Sequence, residues 1–441
     1  MLLPEKVLLC MQTLRQAGFS AYAVGGCVRD MLRGCAPHDY DMTTSARPEE
    51  VLALFAPHAI PTGLQHGTVT VRENHESFEV TTFRADGVYS DHRRPDSVTF
   101  SDSLSEDLQR RDFTINAMAM DLRGQVYDDH GGAEDLRRGI IRCVGDGQTR
   151  FREDALRILR GLRFAAVLGY GIEEQTAAAM ADCAHLLRHI AAERIEEEMS
   201  KILCGDHVLP VLLTYPQIFG VFLPELLPCV GFAQQNPHHM FDVWTHTCRA
   251  VAAAPPNGVL RWAMLLHDLG KAERFSVDEN GVGHFYGHAE RSAELSRRIT
   301  ARLRFEKKTA ARVELLIAWH DRDISRTARG VRRALRELGE EALRQLLEVK
   351  RADNLAQHPD YRWVQQELDR FEELLAEELA KESCFSLQQL AVDGRDLLAL
   401  GLRGSEIGRT LNALLEQVVE GEVPNEKDAL LAVVREKPED F

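Results

Sequence analysis

The chain has 441 residues, 44% of them hydrophobic and 27% charged, and its 53 Lys and Arg face 68 Asp and Glu for a formal charge of −15. That length suits roughly three domains at about 150 residues each, and the composition excludes a disordered or collagen-like chain. An acidic total argues, at face value, against a nucleic-acid partner.

Pro4, Glu5 and Lys6 stand where the apolar core of a secretory signal would sit. No run approaches the roughly 18 apolar residues of a membrane span. The nine cysteines are odd in number and contain no Cys-x-x-Cys pair, so free thiols in a cytoplasmic protein are expected. In chain order, the pattern predicts a helix over residues 4–17 that stops at Gly18, a strand over 21–24, a Gly-Gly turn into a second helix, and a polar strand near 38–42. Strand-like runs recur at 68–72, 77–83, 117–121 and 140–144. From Phe151 onward the periodicity is helical, broken by loops at 205–206, 254–258 and 281–283. The fold class is therefore α+β: an N-terminal α/β head with a mixed sheet, then an all-α remainder. Charge is segmented along the chain. Residues 291–351 carry 17 basic and 9 acidic groups (+8), whereas 352–441 carry 9 and 20 (−11). A +8 block attracts phosphates or simply solvates a helix surface, and both readings stand.

Gly25 and Gly26 follow a strand and open a helix. Such a turn lets the backbone approach a polyphosphate, with Arg29 as a nearby cation, although Gly-Gly is equally a plain turn. In His38-Asp39-Tyr40-Asp41, alternation on a strand puts both carboxylates on one side, where they suit Mg²⁺ and its oxygen ligands. Glu79, in another strand, is a candidate third carboxylate. Arg110, Arg111 and Asp112 read as contacts to a sugar and a phosphate, or as a structural ion pair. In Arg150–Phe164, Glu153, Asp154, Arg157, Arg160 and Arg163 fall on one half of a helix, and the apolar residues on the other.

These segments carry a resemblance. Residues 25–46 (GGCVRDMLRGCAPHDYDMTTSA), Arg110–Ala117 (RRDFTINA) and the Glu153-Asp154-x-x-Arg157 segment resemble, in order, motifs of the class II tRNA nucleotidyltransferase and poly(A) polymerase family. Residues 192–203 resemble its neck helix, and 404–408 with 423–428 its tail. The resemblance implies Mg²⁺ at Asp39 and Asp41, with Glu79 as a further catalytic carboxylate. It implies nucleotide contacts from Gly25, Gly26, Arg29, Arg111, Asp112 and Asn116. Asp154 and Arg157 would hydrogen-bond the base edge of CTP or ATP, a guanidinium offering only donors and a carboxylate only acceptors. Arg160 and Arg163 would serve the phosphates or the helix surface. The segment between Arg84 and Arg110, with Gly87, Arg93, Arg94 and Pro95, resembles the flexible lid of members that add complete CCA to tRNA. CCA addition is therefore expected ahead of poly(A), CC-only or A-only synthesis.

Farther on, His246, His267-Asp268 and Asp353 follow the H…HD…D order of the HD phosphohydrolase superfamily. The resemblance implies that these four hold a divalent metal, for which imidazole with carboxylate suits Mn, Co, Ni or Zn. His288 and His320 could complete a second metal, bind phosphate, or be ordinary capping histidines. The expected organisation is a catalytic head (1–145), a neck that selects bases and binds RNA (146–230), an HD body (231–360) and a tRNA-binding helical tail (361–441). The rivals from other classes are an HD phosphohydrolase whose head merely binds nucleotide, and a non-catalytic RNA-binding factor. Paired metal carboxylates disfavour both.

Overall fold

The computed structural model describes residues 3–73, 76–87, 98–381 and 383–436. They fall into two compact units: residues 1–227 with 302–304, and residues 228–301 with 305–441.

In the first unit, helix α1 (Glu5–Gln16) buries Val7, Cys10, Met11 and Leu14, the three-and-four spacing of an apolar face. Strand β1 (Ala21–Val24) leads through Gly25 into helix α2 (Gly26–Leu32), and β2 (Asp41–Thr44) returns beside β1. Helix α3 (Pro48–Leu54), β3 (Ala59–Gly63), β4 (Thr68–Glu73) and β5 (Glu76–Thr82) follow. The sheet runs in the order β3-β4-β5-β2-β1, then Ala119–Met120 and Val126–Tyr127. The β2–β5 pairing is parallel and the others are antiparallel, so the sheet is mixed, as expected. Val69, Val71, Phe78 and Val80 alternate into the core of this unit.

Several elements differ from the sequence-based expectation. The second strand begins at Asp41, not near 38. Its partner β1 ends at Val24, opposite Asp41, where Gly25 (φ 79°, ψ −131°) turns the chain into α2. Asp39 therefore lies in the coil before the strand. The run at 140–144 shortens to Ile140–Ile141, which pairs in parallel with Gly171–Ile172 outside the main sheet. The expected single helix over 150–164 is two, Gly147–Glu153 and Leu156–Leu168. Asp154 breaks it: its backbone is extended (φ −137°, ψ 103°), and its carboxylate accepts the Leu156 N–H at 3.1 Å, the competition by which short acidic side chains end helices.

The second unit is helical apart from a hairpin of Ser276–Val277 with Gly283–His284. Its Gly258–Leu266 helix buries every residue from Leu260 to Leu266, as a central helix must. Val331, Leu335, Leu343, Leu347, Phe371 and Leu375 form one core. Leu397, Leu414, Leu415, Val419 and Leu430 form another. Among the described residues no helix is long and apolar enough to cross a membrane. All nine cysteines are free thiols.

Candidate active site and a buried histidine–aspartate cluster

In the first unit a cleft of about 610 Å³ is lined by Gly25, Gly26, Arg29, Asp39, Asp41, Arg111, Asp112, Asn116, Arg160 and Arg163, together with Phe164 and Lys201. Most of the head residues singled out from the sequence thus converge on one cavity. Gly25 occupies a backbone region closed to other L-residues, and a Cβ there would meet Arg111 Nη1 at 3.3 Å. Arg29 donates to Asn116 Oδ1 at 2.9 Å and to both oxygens of Asp30 at 2.9 Å, with its guanidinium 5.4 Å from the centre of the Phe164 ring.

Asp41 and Glu79 are direct partners in the parallel β2–β5 register, so their side chains leave the same face of the sheet. The Asp41 carboxyl is pushed up from its ordinary value by desolvation and by the Glu79 and Asp39 charges, against Arg111, which lowers it. Carboxylates that repel one another in this way are relieved by a divalent cation with oxygen-ligand chemistry, and the residues fit one. They stand more widely spaced than the metal-like clusters of the second unit, which among the described residues are the groups whose ligand atoms all lie within 4.8 Å of one another.

Asp107, which the sequence reading did not single out, organises the next segment. It is fully buried, accepts from Arg110 at 2.7 Å and Arg111 at 3.1 Å, and accepts from Thr43 Oγ1 at 3.2 Å. The Asp107–Arg110–Arg111 spacing of three and four residues was the available signal. Asp112 is bound by Arg160 at 2.7 Å and accepts the Phe113 N–H at 2.8 Å. Burial would raise its carboxyl, yet the Arg160 charge and hydrogen bond, the Arg157 charge and that N–H hold it at about 2. Arg163 pairs with Glu198 at 3.0 Å.

Glu79, Asp154 and Arg157 are not among the residues lining the cleft. Asp154 binds Arg194 at 3.1 Å. Arg157 binds Glu153 at 2.7 Å and donates to the Arg110 carbonyl at 3.1 Å, so it braces the segment that carries Arg111 and Asp112. Arg93, Arg94 and Pro95 lie outside the described residues.

The +8 block is largely paired with carboxylates. Arg332 binds Glu378 at 3.0 Å, Arg351 binds Glu372 at 2.7 Å, and Arg326 binds Glu367 at 3.2 Å. Arg329 and Arg333 both bind Glu420. Of its two readings, the structural one accounts for these cations.

In the second unit His246, His267 and Asp268 are almost fully buried, with Asp353 beside them at 2.9 Å from His246 Nε2. His246 Nε2 and His267 Nε2 lie 3.4 and 3.2 Å from Asp268 Oδ2. His267 Nδ1 meets the Met264 carbonyl at 2.7 Å, which leaves Nε2 as the inward lone pair. Asp268 Oδ1 is buried without a hydrogen-bond partner, while Oδ2 faces both imidazoles and the Lys271 ammonium. A buried carboxylate oxygen left open beside imidazoles fits a metal. Lys271 Nζ, 2.8 Å from Asp268 Oδ2, and Gln234, 2.9 Å from Lys271, also belong to this cluster and carried no sequence signal of their own.

Comparisons with known proteins agree with this geometry. Residues 21–142 match the poly A polymerase head domain, 169–229 the RNA- and SrmB-binding site of polymerase A, and 285–434 the tRNA nucleotidyltransferase domain 2. The head and its carboxylate-bearing cleft are thus those of a nucleotidyltransferase. The chain is 38% identical over 428 residues to the CCA-adding enzyme of Lactobacillus helveticus, covering 96% of this chain and 95% of that one. It is 35% identical over 438 residues to that of Streptococcus gordonii, covering 98% and 97%. The crystal structure of the Bacillus stearothermophilus CCA-adding enzyme in complex with CTP matches with a TM-score of 0.74 at 32% identity, over 99% of each chain. The chain belongs to the CCA-adding enzyme family.

Proposed function

We propose that this chain adds CCA to the 3′ end of tRNA, using CTP and ATP, by template-independent nucleotidyl transfer in the cytoplasm. The observation that carries the reading is that Asp39 and Asp41 line one cleft with Gly25, Gly26 and arginines, with Glu79 in register behind Asp41 on the neighbouring strand. The relatives are named CCA-adding enzymes rather than poly(A) polymerases, which favours CCA over homopolymer synthesis.

In this reading Asp39, Asp41 and Glu79 would hold Mg²⁺, which would supply the Lewis acidity for activating a 3′-hydroxyl and for offsetting charge on departing pyrophosphate. Gly25 and Gly26 let the triphosphate approach the backbone, and Arg29, Arg111 and Arg163 supply donors to its oxygens. Asp112 holds the Arg160 guanidinium in place, and Asn116 holds that of Arg29. Asp154 and Arg157 select the base, exchanging Arg194 and Glu153 for the base edge as they do so.

The test supplies tRNA ending at the discriminator base with Mg²⁺, CTP and ATP, and sequences the 3′ ends. Discrete CCA ends support the reading. Long A tails would assign poly(A) synthesis, and absence of extension would remove nucleotidyl transfer altogether. Asp41→Ala abolishes extension.

A second reading concerns the other unit. His246, His267, Asp268 and Asp353 would hold a divalent transition metal, Mn, Co, Ni or Zn, for hydrolysis of a phosphoester. The orphaned Asp268 Oδ1 favours it. The metal would supply an activated water there.

A further inference from the structure

We propose that Phe164 is a positioning residue of the head cleft, its ring gathering the guanidiniums of Arg29, Arg160 and Arg163 into one cradle for a triphosphate; this rests on reading the cleft as a nucleotide site.

Two distant segments supply the three cations: Arg29 stands on α2, and Arg160 and Arg163 on the helix Leu156–Leu168. They share the Phe164 ring as a neighbour. The guanidinium carbons of Arg163, Arg29 and Arg160 lie 4.8, 5.4 and 5.8 Å from its centre, all within the roughly 6 Å over which a ring face attracts a cation. The ring and the three arginines line the same cleft, yet Phe164 is only 7% exposed. Behind it stands the fully buried Phe113, packed edge-to-face with the ring centres 5.8 Å apart and the planes at 83°. Gly161 leaves the space for Phe113, since a Cβ there would meet its Cζ at 2.8 Å. The Phe164 ring is therefore backed by a packed core and turned toward the arginines.

Three cations that converge on one cavity repel. Burial and the charges of Arg160 and Arg29 pull the Arg163 guanidinium down from its ordinary value, against Glu198 and Asp112, which raise it. Carboxylates offset part of the repulsion, but each takes up N–H donors: Asp112 from Arg160, Glu198 from Arg163 and Asp30 from Arg29. An aromatic face attracts a guanidinium through its quadrupole and consumes no N–H. The ring thus holds the cations together and leaves donors for phosphate oxygens. Arginine stems are long and rotate freely, so without the ring the charged heads would part, and an incoming anion would have to draw them together again.

The experiment uses the full chain with Phe164 replaced, site-specifically, by phenylalanines carrying one, two or three ring fluorines. Fluorine withdraws charge from the ring face and barely alters its shape. Binding of inorganic tripolyphosphate is read by calorimetry, and KM and kcat for CTP and ATP are read from tRNA extension. The tripolyphosphate Kd should rise with each fluorine, to about tenfold with three. The KM for CTP and for ATP should rise in parallel, while the unfolding midpoint stays fixed. Phe164→Leu should show the same loss and Phe164→Tyr should recover it. A Kd that stays flat or falls along the fluorine series overturns the proposal, as does an unsubstituted protein that binds no tripolyphosphate. Unequal losses for CTP and ATP with unchanged tripolyphosphate binding would place the ring against the base and overturn it too. Fluorine-dependent tripolyphosphate binding in a protein that extends no tRNA would remove the CCA reading and leave the role of Phe164 standing.

Discussion

The Asp112–Arg160 pair gives the sharpest physical prediction. Asp112 sits 8% exposed, and its carboxyl is held at about 2 against an ordinary 3.8. A depression of roughly 2 units corresponds to about 2.5 kcal/mol of stability, at 1.36 kcal/mol per unit. Arg157 and the Phe113 N–H contribute part of it, so Arg160→Met should cost about 2 kcal/mol at pH 7, a usual size for a broken buried pair after discounting its exposed side. Because the folded value lies below the unfolded one, this stability is complete above about pH 4 and disappears as pH falls from about 4 to about 2. The assay is urea unfolding followed by far-UV circular dichroism at pH 7 and at intervals down to pH 3. Tryptophan fluorescence is the reference, since Trp244, Trp262, Trp319 and Trp363 all lie in the second unit. The dichroism transition should shift and the fluorescence transition should not. Pairing Arg160→Met with Asp112→Asn should recover part of the loss. Equal midpoints at pH 7, or a loss that grows on acidification, would refute the reasoning.

Other outcomes follow from individual contacts. Glu79→Gln removes the charge aligned with Asp41 and should raise the Mg²⁺ concentration for half-maximal extension about tenfold, measured by metal titration of CMP incorporation. Gly25→Ala forces a Cβ into a positive-φ position 3.3 Å from Arg111; it should cost about 2 kcal/mol in unfolding free energy and weaken triphosphate binding by calorimetry. Arg157→Ala should change the ratio of CMP to AMP incorporated more than it changes triphosphate affinity, and an unchanged ratio removes Arg157 from base selection. Arg332→Gln breaks the 3.0 Å contact to buried Glu378 and should cost about 2 kcal/mol of stability, while tRNA affinity by filter binding stays within about twofold.

What the sequence revealed, it revealed where a local rule operates. The strand–glycine–helix unit around Gly25 and the alternation of Val69, Val71, Phe78 and Val80 are period-two and turn signals. The Asp39–Asp41 pair was visible as a motif, but the third carboxylate depended on a parallel register between β2 and β5 that spans 38 positions and that no short window contains. The break at Asp154 was missed because amphipathic spacing continues across it, whereas the cap that interrupts the helix is a side-chain hydrogen bond. Four metal-type residues in the second unit were legible by order alone. His288 and His320 were visible as candidates with their role left open, whereas Gln234 and Lys271 have no period or motif, and only the contacts from Gln234 to Lys271 and from Lys271 to Asp268 mark them. The +8 block was ambiguous for a similar reason: the carboxylates that decide its meaning come from other segments.

Those carboxylates have a consequence for the acidic C-terminal stretch. Glu367, Glu372, Glu378 and Glu420 occupy guanidiniums that would otherwise be open to a polyanion. Each such glutamate stands where a phosphate oxygen could stand, so the segment from 361 onward serves as a tethered counterion layer for the segment before it. Cutting the chain near residue 361 would therefore do more than shorten it. The truncated protein would present a run of uncompensated arginines and would adhere to nucleic acid indiscriminately, with a steeper salt dependence than the intact chain. The negative total charge would then act, in this half of the molecule, as insulation against RNA binding at the wrong place.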